Sequence, residues 1–158
     1  MKHKTKGATT VEFAVIAALF FTVLFAVIEF GRALYVWNTL TEATRRGARI
    51  AVVCPRNHSA IARIAVFNNA TAGGTSPILA GLSPANIVVS YLDINGAAGA
   101  TFAATRYVRV SITGYQHNVV IPFFNQLWNA PAYETTLPRE SLGVPRVGAG
   151  PQCFGTAT

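Results

Sequence analysis

Sixteen consecutive residues, Phe13 to Ile28, carry no charged side chain, and Glu29 closes the run. Extended back to Ala8, the stretch covers 21 residues and contains one charge, Glu12. As a helix it is about 30 Å long, the thickness of a bilayer's hydrocarbon core. Three readings compete for such a segment. A buried helix of a soluble protein is one, but such helices rarely carry so long an apolar run behind a lysine-rich start. A secretory signal peptide is the second, because a basic region followed by an apolar one is its pattern. Against it, the run is long for a signal peptide and no clear A-x-A site follows. A membrane-spanning segment fits the length best. Glu12 is then the oddity: a carboxylate at the edge of hydrocarbon is costly unless something pairs with it.

The helix is expected to continue past the apolar run. Apolar or small residues recur at Phe30, Ala33, Leu34, Trp37, Leu40, Ala43, Gly47, Ala48 and Ala51, close to a helical period. That stripe can seat a small domain on the same helix. Pro55 supplies the stop, since the residue before a proline disfavours helical backbone. Gly31 and Gly47 are candidate bends or close-packing points, and Glu42 is spaced to pair with Arg45 and Arg46.

Charge and cysteine usage narrow the classes. The formal net charge is +7, which invites a nucleic-acid reading. All three lysines, however, lie at Lys2, Lys4 and Lys6, and the arginines are scattered apart from Arg45, Arg46 and Arg49. No basic aromatic stripe or nucleic-acid module is present, so no nucleic-acid partner is expected. The two cysteines, Cys54 and Cys153, form no CxxC and no ligand cluster. Behind a membrane anchor they read as a disulfide in an oxidising compartment, closing a loop whose restriction is worth about 4 kcal/mol in the chain-entropy account. Two unrelated buried thiols are the alternative.

Beyond Arg56 the pattern changes. Ser59 to Asn69 reads as a short helix with Ser59 as a possible cap. The segment 72–77 and Ser83-Pro84 are turns. Ile87 to Ile94 is a β-branched run ending in the turn dipeptide Asn95-Gly96. Arg106 to Tyr115 alternates, with Val108, Val110 and Ile112 on one face, and is expected to pair antiparallel with the preceding run. A third strand is expected near Tyr133 to Leu137. Val119 to Trp128 is ambiguous between a strand leading into Pro122 and a short helix after it. The end, from Gly143, is rich in Gly and Pro. The expected fold class is α+β, a long N-terminal membrane-spanning and amphipathic helix packed on a small antiparallel sheet.

Catalytic chemistry finds little support. Asp93 is the only aspartate, and neither a G-x-S-x-G elbow nor a phosphate-binding loop is present. His3, His58 and His117 lack ligand-like spacing. His3 belongs to the basic start, and the other two read as surface or turn residues. No enzyme activity, cofactor or metal is expected.

The string Lys6-Gly7-Ala8-Thr9-Thr10-Val11-Glu12-Phe13-Ala14 resembles the processing junction of type IV pilin-like proteins. With Phe30-Gly31-Arg32 and Arg46-Gly47-Ala48-Arg49, it is similar to TadE-like proteins, the minor pilins or pseudopilins of the tight-adherence (Flp) pilus system. The likeness is specific over the first third of the chain and general beyond Pro55. It implies a pilin-like layout: a basic leader over 1–7, a transmembrane and assembly helix over 8–30, an amphipathic continuation over 31–54 and an exported α+β domain over 55–158.

The resemblance also implies a prepilin peptidase that cuts after Gly7, leaving Ala8 as the new amino terminus and Glu12 as the fifth mature residue. Gly7 has no side chain to obstruct such a cut. Ala8 differs from the phenylalanine common in type IV pilins, which leaves methylation of that amine open. Glu12 is implied to pair with the amine of its own or an adjacent subunit, since each charge alone is costly in a buried bundle. A carboxylate resting in water at the headgroup boundary is the alternative. Further partners implied are other pilins, pilus assembly proteins and inner-membrane lipid. Lys2, Lys4 and Lys6 favour a cytoplasmic N-terminus, although Arg32, Arg45, Arg46 and Arg49 follow the span closely. With the disulfide and the junction, the expected topology is a single pass in a bacterial inner membrane, with the C-terminal domain exported. A secretion-system pseudopilin and a permanently anchored ligand-binding or partner-binding protein remain the alternatives.

Overall fold

A computed structural model describes residues 7–121, 124–144 and 153, with the backbone alone at 120–121 and 124–126. The lysine-rich start and most of the Gly/Pro-rich end therefore lie outside the described residues. The first element, α1 (Ala8–Ala51), is one unbroken helix of 44 residues, about 66 Å long. Its end has a clear cause. Val52 and Cys54 donate backbone hydrogen bonds to Ala48 and Ile50, and Pro55 follows. The carbonyls left over at the helix end are taken by the C-terminal segment. Glu140 and Leu142 donate to Val52, and Gly143 donates to Val53 at 2.7 Å.

The rest of the chain folds against the last turns of α1. A second helix, α2 (Ser59–Phe67), precedes a 3-10 turn at Pro84–Asn86 and five strands: β1 (Ile87–Leu92), β2 (Tyr107–Ile112), β3 (Gln116–Ile121), β4 (Phe124–Asn129) and β5 (Tyr133–Pro138). The order β1-β2-β5 forms one antiparallel sheet, and β3 and β4 form a separate hairpin. In β1 and β2 the register runs from Ile87 opposite Ile112 to Leu92 opposite Tyr107. The alternation in β2 places Val108, Val110 and Ile112 in the core. The long β1–β2 connection starts with a turn that Asp93 builds, accepting hydrogen bonds from the backbone of Asn95 and Ala97. The result is the α+β arrangement read from the sequence, a long N-terminal helix against a small antiparallel sheet.

Two apolar clusters join the layers. One gathers Ala48, Ala51, Ile61, Ile64, Val108 and Val110, and the other Leu40, Ala43, Val66, Leu82, Ile112 and Tyr115. Gly47 lets α1 approach both neighbours: a β-carbon there would lie 3.0 Å from Ala65 Cβ and 3.1 Å from Val110 Cγ1. Gly31 has no such neighbour within 4 Å. Cys54 and Cys153 are joined by a disulfide with Cα atoms 4.9 Å apart. The loop after α1 is pinned by Tyr91, whose hydroxyl accepts the Asn57 N–H at 2.9 Å beneath the Arg56 guanidinium. Burial pushes the Tyr91 hydroxyl pKa up, opposed by that hydrogen bond and by Arg56.

Several local expectations need correction. The α1 stripe buries its side chains only from Leu40 onward, while Phe30, Leu34 and Trp37 stay exposed because β3 covers a different face at that height, that of Glu29, Ala33 and Val36. The cap of α2 is His58, whose Nδ1 accepts the Ala60 N–H at 3.2 Å, and Ser59 is the first helical residue. Among the described residues no ion pair joins Glu42 to Arg45 or Arg46. The ambiguous stretch from Val119 to Trp128 contributes to both strands of the β3–β4 hairpin.

Candidate functional site

The candidate site is the surface of α1. Its most apolar window is wholly unburied, and the helix is long and apolar enough to cross a membrane. Val11, Phe13, Ile16, Leu19, Phe20 and Val27 are all exposed. An apolar surface of that extent has to be covered by lipid or by other helices.

At the start of this surface, Gly7 caps α1 and is exposed, with open space where a side chain would stand. Ala8 opens the helix, and Glu12 sits exposed one turn further on. Among the described residues Glu12 makes no ion pair, so its carboxylate faces outward. Cys54 and Cys153 lie at the opposite end of α1, where they tie the C-terminal segment to the helix end.

The far edge of the apolar segment holds a group that sequence reading missed. Glu29 is 8 % exposed, although it lies on a stretch of α1 whose neighbours Ile28 and Phe30 are open. Its Oε2 accepts from Arg32 at 2.7 Å, and its Oε1 lies 2.8 Å from His117 Nε2. With a carboxylate oxygen as the acceptor, the imidazole Nε2–H is the donor. His117 stands on β3 and is itself buried, not the surface or turn residue expected from its polar neighbours. The correction has a physical cause. Tyr115, His117 and Val119 alternate on one face, and that face packs on α1. Continuing the phase of Val108, Val110 and Ile112 would point His117 outward; the signal that could have found it is the new alternation of Tyr115, His117 and Val119 after the break at Gly114. Beside the pair lies a cavity of about 220 Å³ lined by Ala26, Glu29, Phe30, Ala33, His117 and Trp128.

Among the described residues no cluster of three His, Cys, Asp or Glu side chains could hold a metal ion. Nor do any of them form a nucleophile–base pair within hydrogen-bond reach. The arrangement can anchor, pack and assemble.

Comparison with known families agrees with the place of this surface. The family model described as TadE-like protein matches residues 7–49. That segment of the chain is similar to TadE-like proteins. The match begins at the exposed Gly7 cap and ends two residues before α1 does. It covers about a quarter of the sequence, so the TadE-like signature belongs to the helix. A TadE-like match suggests a Tad-pilus-associated protein, a structural class more than an enzymatic one. No curated protein and no solved structure matches the chain.

Proposed function

We propose that this protein is a minor pilin or pseudopilin of a tight-adherence (Flp-type) pilus. A prepilin peptidase removes the leader after Gly7, and the retained helix enters a helical assembly with other pilins. Through the pilus, the protein then serves adhesion and biofilm formation. The N-terminus faces the cytoplasm, and the domain beyond α1 is exported from the inner membrane. One observation carries the reading: the TadE-like match falls on a helix whose apolar surface is left unburied by the described residues. A helix matched only for packing a soluble core would be buried along its length.

The chemistry at the junction supports the same reading. Gly7 offers unobstructed backbone before the cut. Cleavage would create an amine on Ala8, one helical turn from the Glu12 carboxylate, and the two charges offset each other where hydrocarbon excludes water. The test is mass spectrometry of the mature N-terminus from cells with and without the peptidase. A peptidase-dependent start at Ala8 with α1 retained is expected. An uncut leader in both strains would mean a permanent anchor, and cleavage beyond Ile28 an ordinary signal peptide. Either result overturns the reading.

A further inference from the structure

The β3–β4 hairpin stands apart from the core sheet and runs along α1 towards its apolar half. Tyr115, just before β3, packs with Leu40 and Val36. Two residues later His117 meets Glu29, about three helical turns nearer the N-terminus of α1 than Leu40. The strand therefore descends antiparallel to α1, from the domain to the edge of the apolar segment. Its partner strand presents Leu127 and Trp128, opposite Asn118 and His117, with exposures of 62 % and 57 %.

Composition sets this region apart. From Val110 to Tyr133 the chain carries no Asp, Glu, Lys or Arg over 24 residues. An exposed ribbon in water is ordinarily protected by charges along its edges. Here it has none. Its exposed Trp128 stands beside Phe30, across the cavity that Glu29 and His117 line, so the apolar face of α1 continues onto β4. Arg32, 44 % exposed at its side chain, sits at the same height. Tyr35 and Trp37 lie just above, both exposed. Aromatic side chains with a cation, at the end of an apolar span, match the headgroup level of a bilayer.

We propose that the β3–β4 hairpin, through Trp128 beside Phe30, is a second membrane contact. It rests in the boundary between headgroups and acyl chains of the leaflet through which α1 emerges, with Arg32 facing lipid phosphate. A two-stranded ribbon has unsatisfied edge groups, so it lies in the interface and does not cross the core. The Glu29–His117 bond holds the hairpin against α1 at that depth, which fixes how the domain sits over the membrane. The proposal rests on the reading of α1 as a membrane span.

The test uses the full chain in phosphatidylethanolamine/phosphatidylglycerol vesicles at low protein density. The two tryptophans are Trp37 and Trp128, so Trp37→Phe leaves Trp128 as the sole reporter. Phospholipid brominated on its acyl chains is expected to lower Trp128 emission about twofold, while aqueous iodide has little effect, as for an interfacial tryptophan. Quenching by iodide and not by bromolipid would overturn the proposal. So would protection from both quenchers, which would mean that a second copy covers the face. A separate reporter, Phe20→Trp with Trp37→Phe and Trp128→Phe, reads the span alone. Bromolipid quenching there, with none at Trp128, sinks the hairpin contact and leaves the span standing. No quenching at either position sinks the span itself.

Discussion

Glu29 and His117, 88 residues apart in sequence, meet at 2.8 Å where the apolar part of α1 ends. The contact joins the TadE-like helix to a hairpin outside the matched segment. Glu29 shares its charge between a half-exposed arginine and a buried imidazole. The two halves of that arrangement differ in worth. An exposed guanidinium is screened and contributes little, whereas a buried donor–acceptor pair is costly to break from one side.

A double-mutant cycle separates the two. Glu29→Gln combined with His117→Ala should give a coupling of about 1–3 kcal/mol. The same cycle with Arg32→Ala should give less than about 1 kcal/mol. Thermal unfolding of the full chain in detergent provides the measurement, with hydrogen exchange of β3 as a local readout. Equal couplings in the two cycles would mean that the imidazole adds nothing beyond the surface pair.

The reach of sequence reasoning followed how local each signal was. α1 was legible because an uncharged run and a following stripe need no partner to be recognised. β1 was legible as a β-branched run ending in the Asn95-Gly96 turn, and β2 because Val108, Val110 and Ile112 make one face apolar at period two. The β3–β4 hairpin was not. Apolar residues crowd both sides of Pro122, and no turn dipeptide marks the reversal. His117 stands between Gln116 and Asn118 and reads as polar surface, and its partner lies on an element that only the fold brings near. The Glu29 contact is a property of tertiary structure, and no window along the chain contains it.

Gly143 is a second position where geometry sets a firm expectation. Its φ is +82°, and a β-carbon there would stand 2.5 Å from Pro55 Cγ and 2.7 Å from Pro55 N. Its N–H also closes the end of α1 by donating to Val53. Gly143→Ala should therefore destabilise the domain by about 1–3 kcal/mol through strain and overpacking. Gly31→Ala is the control, since nothing lies within 4 Å of that site and helix propensity favours alanine by about 1 kcal/mol. Melting temperatures in detergent should move in opposite directions. A Gly143→Ala protein that melts with the wild type would contradict the close packing at Pro55.

Alkaline pH should weaken the domain. Tyr91, Tyr115 and Tyr133 all have raised pKa values, with burial as the leading cause. At Tyr115 the nearby Arg32 opposes the shift and Tyr133 adds to it. Above pH ~10 the unfolded chain releases its phenolic protons while the folded chain retains them. The unfolded state then binds fewer protons, so stability, fully present below that pH, is lost as pH rises through the folded values. Ultraviolet titration of phenolate alongside unfolding at neutral and high pH checks the sign. Tyr91→Phe should flatten part of the alkaline loss. At neutral pH it should cost about 1 kcal/mol, because the Asn57 N–H loses its acceptor.

Glu12 stands in contrast to Glu29. One carboxylate is satisfied within the chain, and the other is exposed on a helix surface that needs a partner. Replacing Glu12 with Gln or Ala should therefore leave the domain's melting behaviour and membrane insertion unchanged. Assembly should suffer instead, because the amine at Ala8 would lose the charge that offsets it in a packed bundle. The experiment scores three quantities in one strain: protein level, membrane fraction and recovery in sheared surface filaments. Loss of the last with the first two intact is the expected pattern. Filament recovery equal to wild type, from a well-expressed Glu12→Ala protein, would remove Glu12 from the assembly mechanism and leave the apolar surface of α1 to drive it alone.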